Sequence, residues 1–216
     1  YVTSVNGQMS LEQEKKAVAA YYASVAYMDK QVGKVLNALK EEGLEDNTIV
    51  IFTSDHGFHL GEHRFWMKVS LHEESVRVPM IIKVPGKKPA ICNSFVELID
   101  LYPTIAELAS LKTPKNLQGK SLTKTMNDPN FKVRDMTFSV SQGGKSFLLR
   151  TEKWAYIQYD EDARSGIELY DMTKDPQQFT NLAGLKEYNV VVSVFKDKLK
   201  NKLKKVRTND LEIPYN

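Results

Sequence analysis

Three residues in the first third of the chain have the chemistry to act together on an anionic substrate. Asp55 and His56 follow the apolar run Thr48–Thr53, so a carboxylate and an imidazole stand where a predicted strand ends. Ligands of open α/β sheets bind outside the carboxyl ends of the strands. Lys68 follows in a glycine-rich, polar segment that can fold back over the pair. A metal together with an ammonium group would hold an oxyanion such as sulfate or phosphate.

The elements around these residues can be predicted from the spacing of apolar positions. Ser10, with Gln13 three residues later, predicts the start of a long helix, and Gly43 predicts its end. The strand Thr48–Thr53 follows, and Val78–Val84 predicts a second strand that closes at a Pro-Gly turn. Because the first strand is apolar on both faces, its pattern is typical of a parallel sheet covered by helices.

The second half of the chain has a different pattern. A helix over Phe95–Ala109, interrupted near Pro103, precedes a polar connection at residues 112–130. Closely spaced strand-like runs then predict a small antiparallel sheet. These runs are Thr137–Val140, Ser146–Thr151, Trp154–Tyr159 and Glu168–Tyr170. The apolar residues of a final segment, about Glu187 to Val206, share one face and predict a terminal helix.

Longer motifs around the Asp-His pair resemble the sulfatase family of the alkaline-phosphatase-like superfamily. The matching pieces stand in family order between Tyr21 and Ala183: YYASVAYMDKQVGKVLNALKEEGLEDNTIVIFTSDHG, LGEHRFWMK, EESVRVPMIIKVPG, VELIDLYPTIAELASL and ELYDMTKDPQQFTNLA. They are most similar to the subgroup typified by iduronate-2-sulfatase and similar bacterial enzymes.

The resemblance implies an α/β fold. It would contain part of an alkaline-phosphatase-like sheet covered by helices, followed by a small C-terminal antiparallel sheet with a terminal helix. We therefore expect residues 1–130 to be the C-terminal part of the catalytic α/β domain. Residues 131–216 are expected to form a small C-terminal α+β subdomain.

The resemblance also implies roles for individual residues. Asp55 and His56 match the metal-ligating pair of the family, and Lys68 matches the catalytic lysine that contacts the sulfate ester. The implied metal is Ca²⁺, with Mg²⁺ or Mn²⁺ as alternatives. An imidazole suits Mn²⁺ or Zn²⁺ better than it suits calcium, but one nitrogen among several carboxylates is compatible with calcium. His63, in the LGEH piece, is a candidate for substrate contact or for a structural hydrogen bond. His59 is a further candidate for substrate contact.

The nucleophile of the family has no counterpart in this sequence. Sulfatases use a formylglycine made from the Cys or Ser of a C-x-P-S-R motif, whereas the single cysteine, Cys92, precedes Asn93 and Ser94. The paired N-terminal aspartates that bind the metal are also missing. The resemblance therefore implies the C-terminal part of a sulfatase, with formylglycine expected in an N-terminal portion of the same enzyme. We expect the chain alone to be inactive.

Composition and resemblance together limit the partners. A net charge of +3 is too small to predict nucleic-acid binding, and no segment approaches the ~18 consecutive apolar residues of a membrane span. The implied substrate is a sulfated small molecule or glycan, and the family implies an exported enzyme that is periplasmic, extracellular or lysosomal. Two alternatives stay open: a phosphonate or phosphate ester hydrolase of the same superfamily, and a non-catalytic sulfatase-like protein that binds glycans.

Overall fold

The computed structural model describes residues 9–141 and 143–208, which form two compact units. The first unit ends at Lys88 and the second begins at Pro89. The domain boundary expected at residue 130 refers to the subdomains of a whole sulfatase and stays a prediction. In the part of the chain that the structure describes, no helix has both the length and the apolar character needed to cross a bilayer.

The first unit carries the residues with candidate chemistry. Its elements are helix α1 (Leu11–Glu41), strand β1 (Val50–Thr53), the two-residue strands β2 (His59–Leu60) and β3 (Trp66–Met67), the short helix α2 (Glu73–Val76) and strand β4 (Met80–Lys83). Short 3₁₀ turns lie at Glu45–Asn47 and Glu62–Arg64.

The ends of α1 confirm the prediction from its capping residues. The Ser10 hydroxyl accepts a hydrogen bond from the Gln13 backbone N–H at 3.3 Å, and the Gln13 side chain accepts one from the Ser10 N–H at 2.7 Å. This reciprocal pair satisfies two backbone donors that the first turn of a helix leaves open. At the other end Gly43 adopts a φ of 67°, in the left-handed region. Helices commonly end at a glycine in this conformation, because glycine has no Cβ and so avoids the steric penalty.

Strand β1 is shorter than predicted and has a different kind of partner. The chain first makes a 3₁₀ turn at Glu45–Asn47, and the Thr48 hydroxyl donates to the Leu44 carbonyl at 2.8 Å, so the strand begins at Val50. It pairs with β4 in antiparallel register, from Val50 opposite Lys83 to Thr53 opposite Met80. The parallel pairing predicted from the apolar run is therefore absent among the described residues of this chain.

The second unit is a helix-covered antiparallel meander. After a 3₁₀ turn at Leu98–Asp100 come α3 (Leu101–Leu108), another such turn at Thr123–Met126, strands β5 (Met136–Val140), β6 (Ser146–Thr151), β7 (Trp154–Tyr159) and β8 (Ile167–Asp171), a 3₁₀ turn at Lys186–Tyr188, and α4 (Asn189–Val206). The four strands pair in chain order, each antiparallel to the next. The small sheet and terminal helix predicted from the sequence are confirmed.

One core joins this sheet to α4. Side chains two residues apart on a strand share a face, and residues three or four apart on a helix do the same. The sheet contributes Phe147, Leu149, Tyr156 and Leu169, and the helix contributes Phe195, Leu199 and Leu203. All seven are buried, so the packing of α4 on this face of the sheet stabilises the second unit through apolar burial.

The predicted interruption near Pro103 is wrong. Helix α3 runs unbroken, with Pro103 as its third residue. Backbone N–H groups in the first turn have no partner inside the helix, so a proline there removes no hydrogen bond. The helix also begins later than the predicted Phe95, because the Leu98–Asp100 turn precedes it.

A buried ion pair fixes the start of α3. Asp100 is fully buried, and Arg134 Nη2 donates to its Oδ1 at 2.6 Å. The same carboxylate accepts the backbone N–H groups of Glu97 and Lys120, at 2.8 and 2.7 Å. These hydrogen bonds compensate the desolvation of the buried carboxylate.

Candidate functional site

The end of β1 presents Asp55 and His56 on a tight turn. The Ser54 hydroxyl donates to the His56 carbonyl at 2.7 Å, and the Asp55 Oδ1 accepts the His56 backbone N–H at 3.0 Å. The turn leaves the Asp55 side chain 84% exposed and that of His56 34% exposed. Asp55 Oδ2 and His56 Nε2 lie 3.6 Å apart. The pair therefore offers an oxygen and a nitrogen to a common partner.

The tautomer of His56 follows from its backbone contact. Its Nδ1 lies 2.7 Å from the Gly57 carbonyl oxygen. A carbonyl only accepts, so Nδ1 carries the proton and donates. The neutral ring then has its lone pair on Nε2, the atom that faces Asp55. Histidine ligands of metals are oriented by this kind of hydrogen bond through the second ring nitrogen.

The structure brings Lys68 to the same place. Its Nζ lies 2.8 Å from His56 Nε2, twelve residues away in sequence. The chain doubles back through the β2–β3 ladder, in which His59 lies opposite Met67 and Leu60 opposite Trp66. Asp55, His56 and Lys68, selected from the sequence by type and spacing, thus form one cluster in the structure.

The approach of the loop to α2 depends on Gly57. Its backbone N–H donates to the Ser75 carbonyl at 2.8 Å. A Cβ at position 57 would lie 1.9 Å from the Glu74 carbonyl oxygen, far inside van der Waals contact. Glycine is thus required for the end of β1 to pack against the short helix.

Several residues of the loop have a strained backbone. Met67 and Val69, on either side of Lys68, have φ values of 75° and 83°, and His63 and Arg64 have values of 56° and 60°. Residues other than glycine rarely adopt positive φ, and for a β-branched residue such as valine this conformation is an outlier. Strain of this kind clusters at functional sites, where the surrounding structure enforces it.

His59 and His63 lie in a buried cluster of imidazoles. His59 is 1% exposed, and its Nε2 lies 2.7 Å from the Ser70 Oγ. His63 stacks on His72 with ring centroids 4.4 Å apart, and its Nε2 lies 3.5 Å from Glu74 Oε2. Burial lowers the pKa of His59, although the nearby Glu74 carboxylate acts in the opposite direction. These contacts favour structural roles, and the substrate contact expected for either histidine stays a prediction.

Asp55 and His56 fit part of a metal site. They present a carboxylate oxygen and an unprotonated imidazole nitrogen on the same side of a turn. Over residues 9–141 and 143–208, no group of three or more His, Cys, Asp or Glu side chains is arranged to hold a metal ion. Two protein donors are therefore what the described chain offers, and a complete site needs others.

Sequence reasoning did not find Ser70. The serine lies two residues after Lys68, outside the matching motif pieces, and its type carries no signal of function. Only the folded loop places its hydroxyl against the imidazole of His59.

Comparison with known proteins identifies the family. The family model described as Sulfatase matches residues 1–111, and the model described as N-sulphoglucosamine sulphohydrolase, C-terminal, matches residues 61–208. Arylsulfatase K from Bos taurus is 34% identical over 213 residues, which cover 93% of this chain and 39% of the relative. The chain belongs to the sulfatase family. A Clostridium perfringens arylsulfatase is 33% identical over 87% of this sulfatase chain and 40% of its own length.

Solved structures agree with this assignment. A 2-O GAG sulfatase matches 96% of this chain and 47% of its own, with a TM-score of 0.83 and 27% identity. A protein in complex with its substrate D-glucosamine-2-N,6-O-disulfate has a TM-score of 0.70 and 28% identity, over 89% of this chain and 42% of its own. The phosphonate monoester hydrolase of Agrobacterium radiobacter has a TM-score of 0.78 and 26% identity, over 92% of this chain and 43% of its own.

The fold class is therefore that of the alkaline-phosphatase-like sulfatases, as the motifs predicted. The chain spans about two fifths of the length of the curated relatives it matches.

Proposed function

We propose that this chain supplies one side of the active site of an enzyme that hydrolyses a sulfate ester. The observation that carries the proposal is the convergence of three groups from two parts of the sequence. Asp55 Oδ2 and Lys68 Nζ both lie within 3.6 Å of His56 Nε2. A carboxylate, an imidazole lone pair and an ammonium at one point suit a divalent metal and an oxyanion held side by side.

The metal pair is assigned to Asp55 and His56. Ca²⁺ is the proposed ion and Mg²⁺ or Mn²⁺ the alternatives; when bound, it would neutralise charge on the sulfate oxygens. His56 is held for this task by its Nδ1–H bond to the Gly57 carbonyl, which keeps the Nε2 lone pair directed outward. Further ligands and the formylglycine nucleophile are expected in an N-terminal portion of the same enzyme.

Lys68 is assigned to the sulfate itself. Its ammonium is a compact charge with three donors, which suits an ester oxygen that gains negative charge as the S–O bond breaks. The Nε2 lone pair of His56 serves one partner at a time. Once Nε2 ligates a metal, the Lys68 ammonium would no longer donate to it and would donate to a sulfate oxygen instead.

The substrate class is proposed to be a sulfated sugar. One structural neighbour is a 2-O GAG sulfatase, and another is in complex with a disulfated glucosamine. An exported location, whether periplasmic, extracellular or lysosomal, suits such a substrate and is proposed with it.

A phosphonate ester hydrolase is the second candidate. The structural similarity to a phosphonate monoester hydrolase supports it, and the same three groups would hold any tetrahedral oxyanion. Comparing the hydrolysis of an aryl sulfate with that of an aryl phosphonate monoester by the complete enzyme distinguishes the two. A preference for the sulfate supports our proposal, and a preference for the phosphonate supports the alternative.

The test of the site is Asp55→Ala in the complete enzyme. We expect aryl sulfate turnover to fall by about a hundredfold or more. The removed carboxylate is a proposed ligand of the metal, and the metal would neutralise charge on the sulfate oxygens. The metal bound per molecule, measured by inductively coupled plasma mass spectrometry, should fall in parallel.

The matched control is Asp46→Ala. Asp46 is an exposed carboxylate in the 3₁₀ turn before β1, and this variant should keep both turnover and metal content. Unchanged turnover and unchanged metal content in Asp55→Ala would refute the assignment. A non-catalytic glycan-binding protein would show no turnover in any form, including the unaltered enzyme.

A further inference from the structure

Lys68 lies in a stretch of backbone that would not adopt its conformation unaided. Met67 before it and Val69 after it both have positive φ, at 75° and 83°. Neither residue is glycine, so both pay a steric cost that the surrounding structure must offset. If Val69 relaxed to an ordinary φ, the direction of the neighbouring Lys68 side chain would change.

Two sets of contacts surround this strained stretch. Before Lys68, the β2–β3 ladder holds Met67 opposite His59. After Lys68, the Ser70 Oγ lies 2.7 Å from His59 Nε2 and also accepts the backbone N–H of His72 at 3.2 Å. His59 thus contacts the chain on both sides of the lysine, once through its backbone and once through its ring.

The His59 side of this contact is enclosed by other rings. The residue is 1% exposed, and Phe65, His63 and His72 pack edge-on around its ring with centroids 5.6 to 6.2 Å away. Burial lowers the pKa of His59 and so favours the neutral ring. A neutral ring enclosed in this way makes a fixed anchor for the Ser70 hydroxyl.

We propose that the His59–Ser70 hydrogen bond is a latch that holds the strained segment and so keeps the Lys68 ammonium beside His56. His59 and Ser70 are then positioning residues, which act on the reaction through Lys68. This inference rests on the proposed function for its effect on turnover, and on the geometry alone for its effect on the loop.

The first test is Ser70→Ala in the complete enzyme. A small displacement of a group that acts in the transition state can cost a large factor in rate. We expect kcat on an aryl sulfate to fall by about tenfold to a hundredfold with KM changed by less than about twofold. Ser70→Thr retains the hydroxyl and should restore most of the rate.

The matched control is Ser94→Ala. Ser94 lies in the second unit, and its Oγ accepts the Val133 backbone N–H at 2.7 Å, so the variant also removes a partly buried serine hydroxyl with a short hydrogen bond. It should lower the melting temperature without changing kcat. A rate loss in Ser94→Ala as large as that in Ser70→Ala would mean that general destabilisation explains both, and would overturn the latch.

A second readout does not depend on catalysis. Hydrogen exchange followed by mass spectrometry should show faster exchange at residues 66–70 in Ser70→Ala and in His59→Gln, but not in Ser94→Ala. If the unaltered enzyme hydrolyses no sulfate ester, the proposed function fails while this measurement still decides the latch. Wild-type exchange in both loop variants, or wild-type kcat in Ser70→Ala, would overturn it.

Discussion

His56 is the residue at which the candidate site converges. One ring nitrogen is committed to the Gly57 carbonyl, and the other faces both the Asp55 carboxylate and the Lys68 ammonium. A backbone contact thus sets which nitrogen is free for chemistry. A residue of another type at position 56 would lack this hydrogen bond and the directional control that it gives.

Lys68 can be tested by a substitution that keeps its charge. In Lys68→Arg we expect kcat/KM on an aryl sulfate to fall by about a hundredfold to a thousandfold, near the loss in Lys68→Ala. The planar guanidinium is larger and cannot place a compact charge at a crowded ester oxygen. Steady-state kinetics of the three enzymes measure this.

Lys83→Arg is the control for the lysine test. Lys83 forms an exposed ion pair with Glu45 at 2.6 Å in the same unit, and either cation can make that contact. This variant should keep wild-type kinetics. Near-normal turnover in Lys68→Arg would count against a direct contact between Lys68 and the sulfate.

The sequence indicated which candidate residues come together better than it indicated the residues that support them. Asp55 and His56 stand at a strand end and Lys68 in a specific motif, so type and spacing carried the signal. The hydrogen bond between His59 and Ser70 joins residues that are eleven apart in sequence. The loop between them has positive φ at Met67 and Val69. No residue preference indicates such a conformation, because these residue types normally avoid it.

At the scale of elements, the site depends on how closely the end of β1 approaches α2. In Gly57→Ala the new methyl group would lie 1.9 Å from the Glu74 carbonyl oxygen, so the strand end or the helix must move. We expect the free energy of unfolding to fall by about 1 to 3 kcal/mol, the usual cost of overpacking. Urea unfolding measures this free energy. Turnover should fall as well, because His56 directly precedes Gly57.

Gly184→Ala is the control for this substitution. Nothing lies within 4 Å of the Cβ that it would add, and the glycine does not have positive φ. Its free energy of unfolding should stay within about 0.5 kcal/mol of the unaltered enzyme. Equal stability of the two variants would show that the close approach of β1 to α2 does not constrain the folded state.

Elements formed by interactions between residues near in sequence were predicted better than those formed by residues far apart in sequence. The bounds of β6 and β7 were predicted to the residue, because alternating side chains and turn residues define a meander locally. The antiparallel pairing of β1 with β4 was missed, because an apolar run does not specify the direction of its partner. Similarly, the ion pair of Asp100 with Arg134 joins residues 34 apart and has no local signature.

At the scale of the whole molecule, α1 is the element that most needs a partner. None of its 31 residues is buried, yet it exposes the large apolar side chains Leu11, Tyr22, Val25, Tyr27, Met28, Val35 and Leu36. Helices in proteins owe most of their stability to the packing of an apolar face. Apolar surface that extends along a helix of this length is expected to be covered in the working enzyme.

The last prediction concerns these 216 residues produced alone. We expect them to self-associate or to bind a hydrophobic dye, because α1 and the ladder edges of β1 and β4 offer uncovered surface. We also expect no turnover of an aryl sulfate, because the sequence holds no C-x-P-S-R motif from which formylglycine is made. Sedimentation velocity and an aryl sulfate assay, run beside the complete enzyme, measure both properties. A soluble, monomeric and active product would mean that a group within this chain acts as the nucleophile, and the division of the active site proposed above would then be wrong.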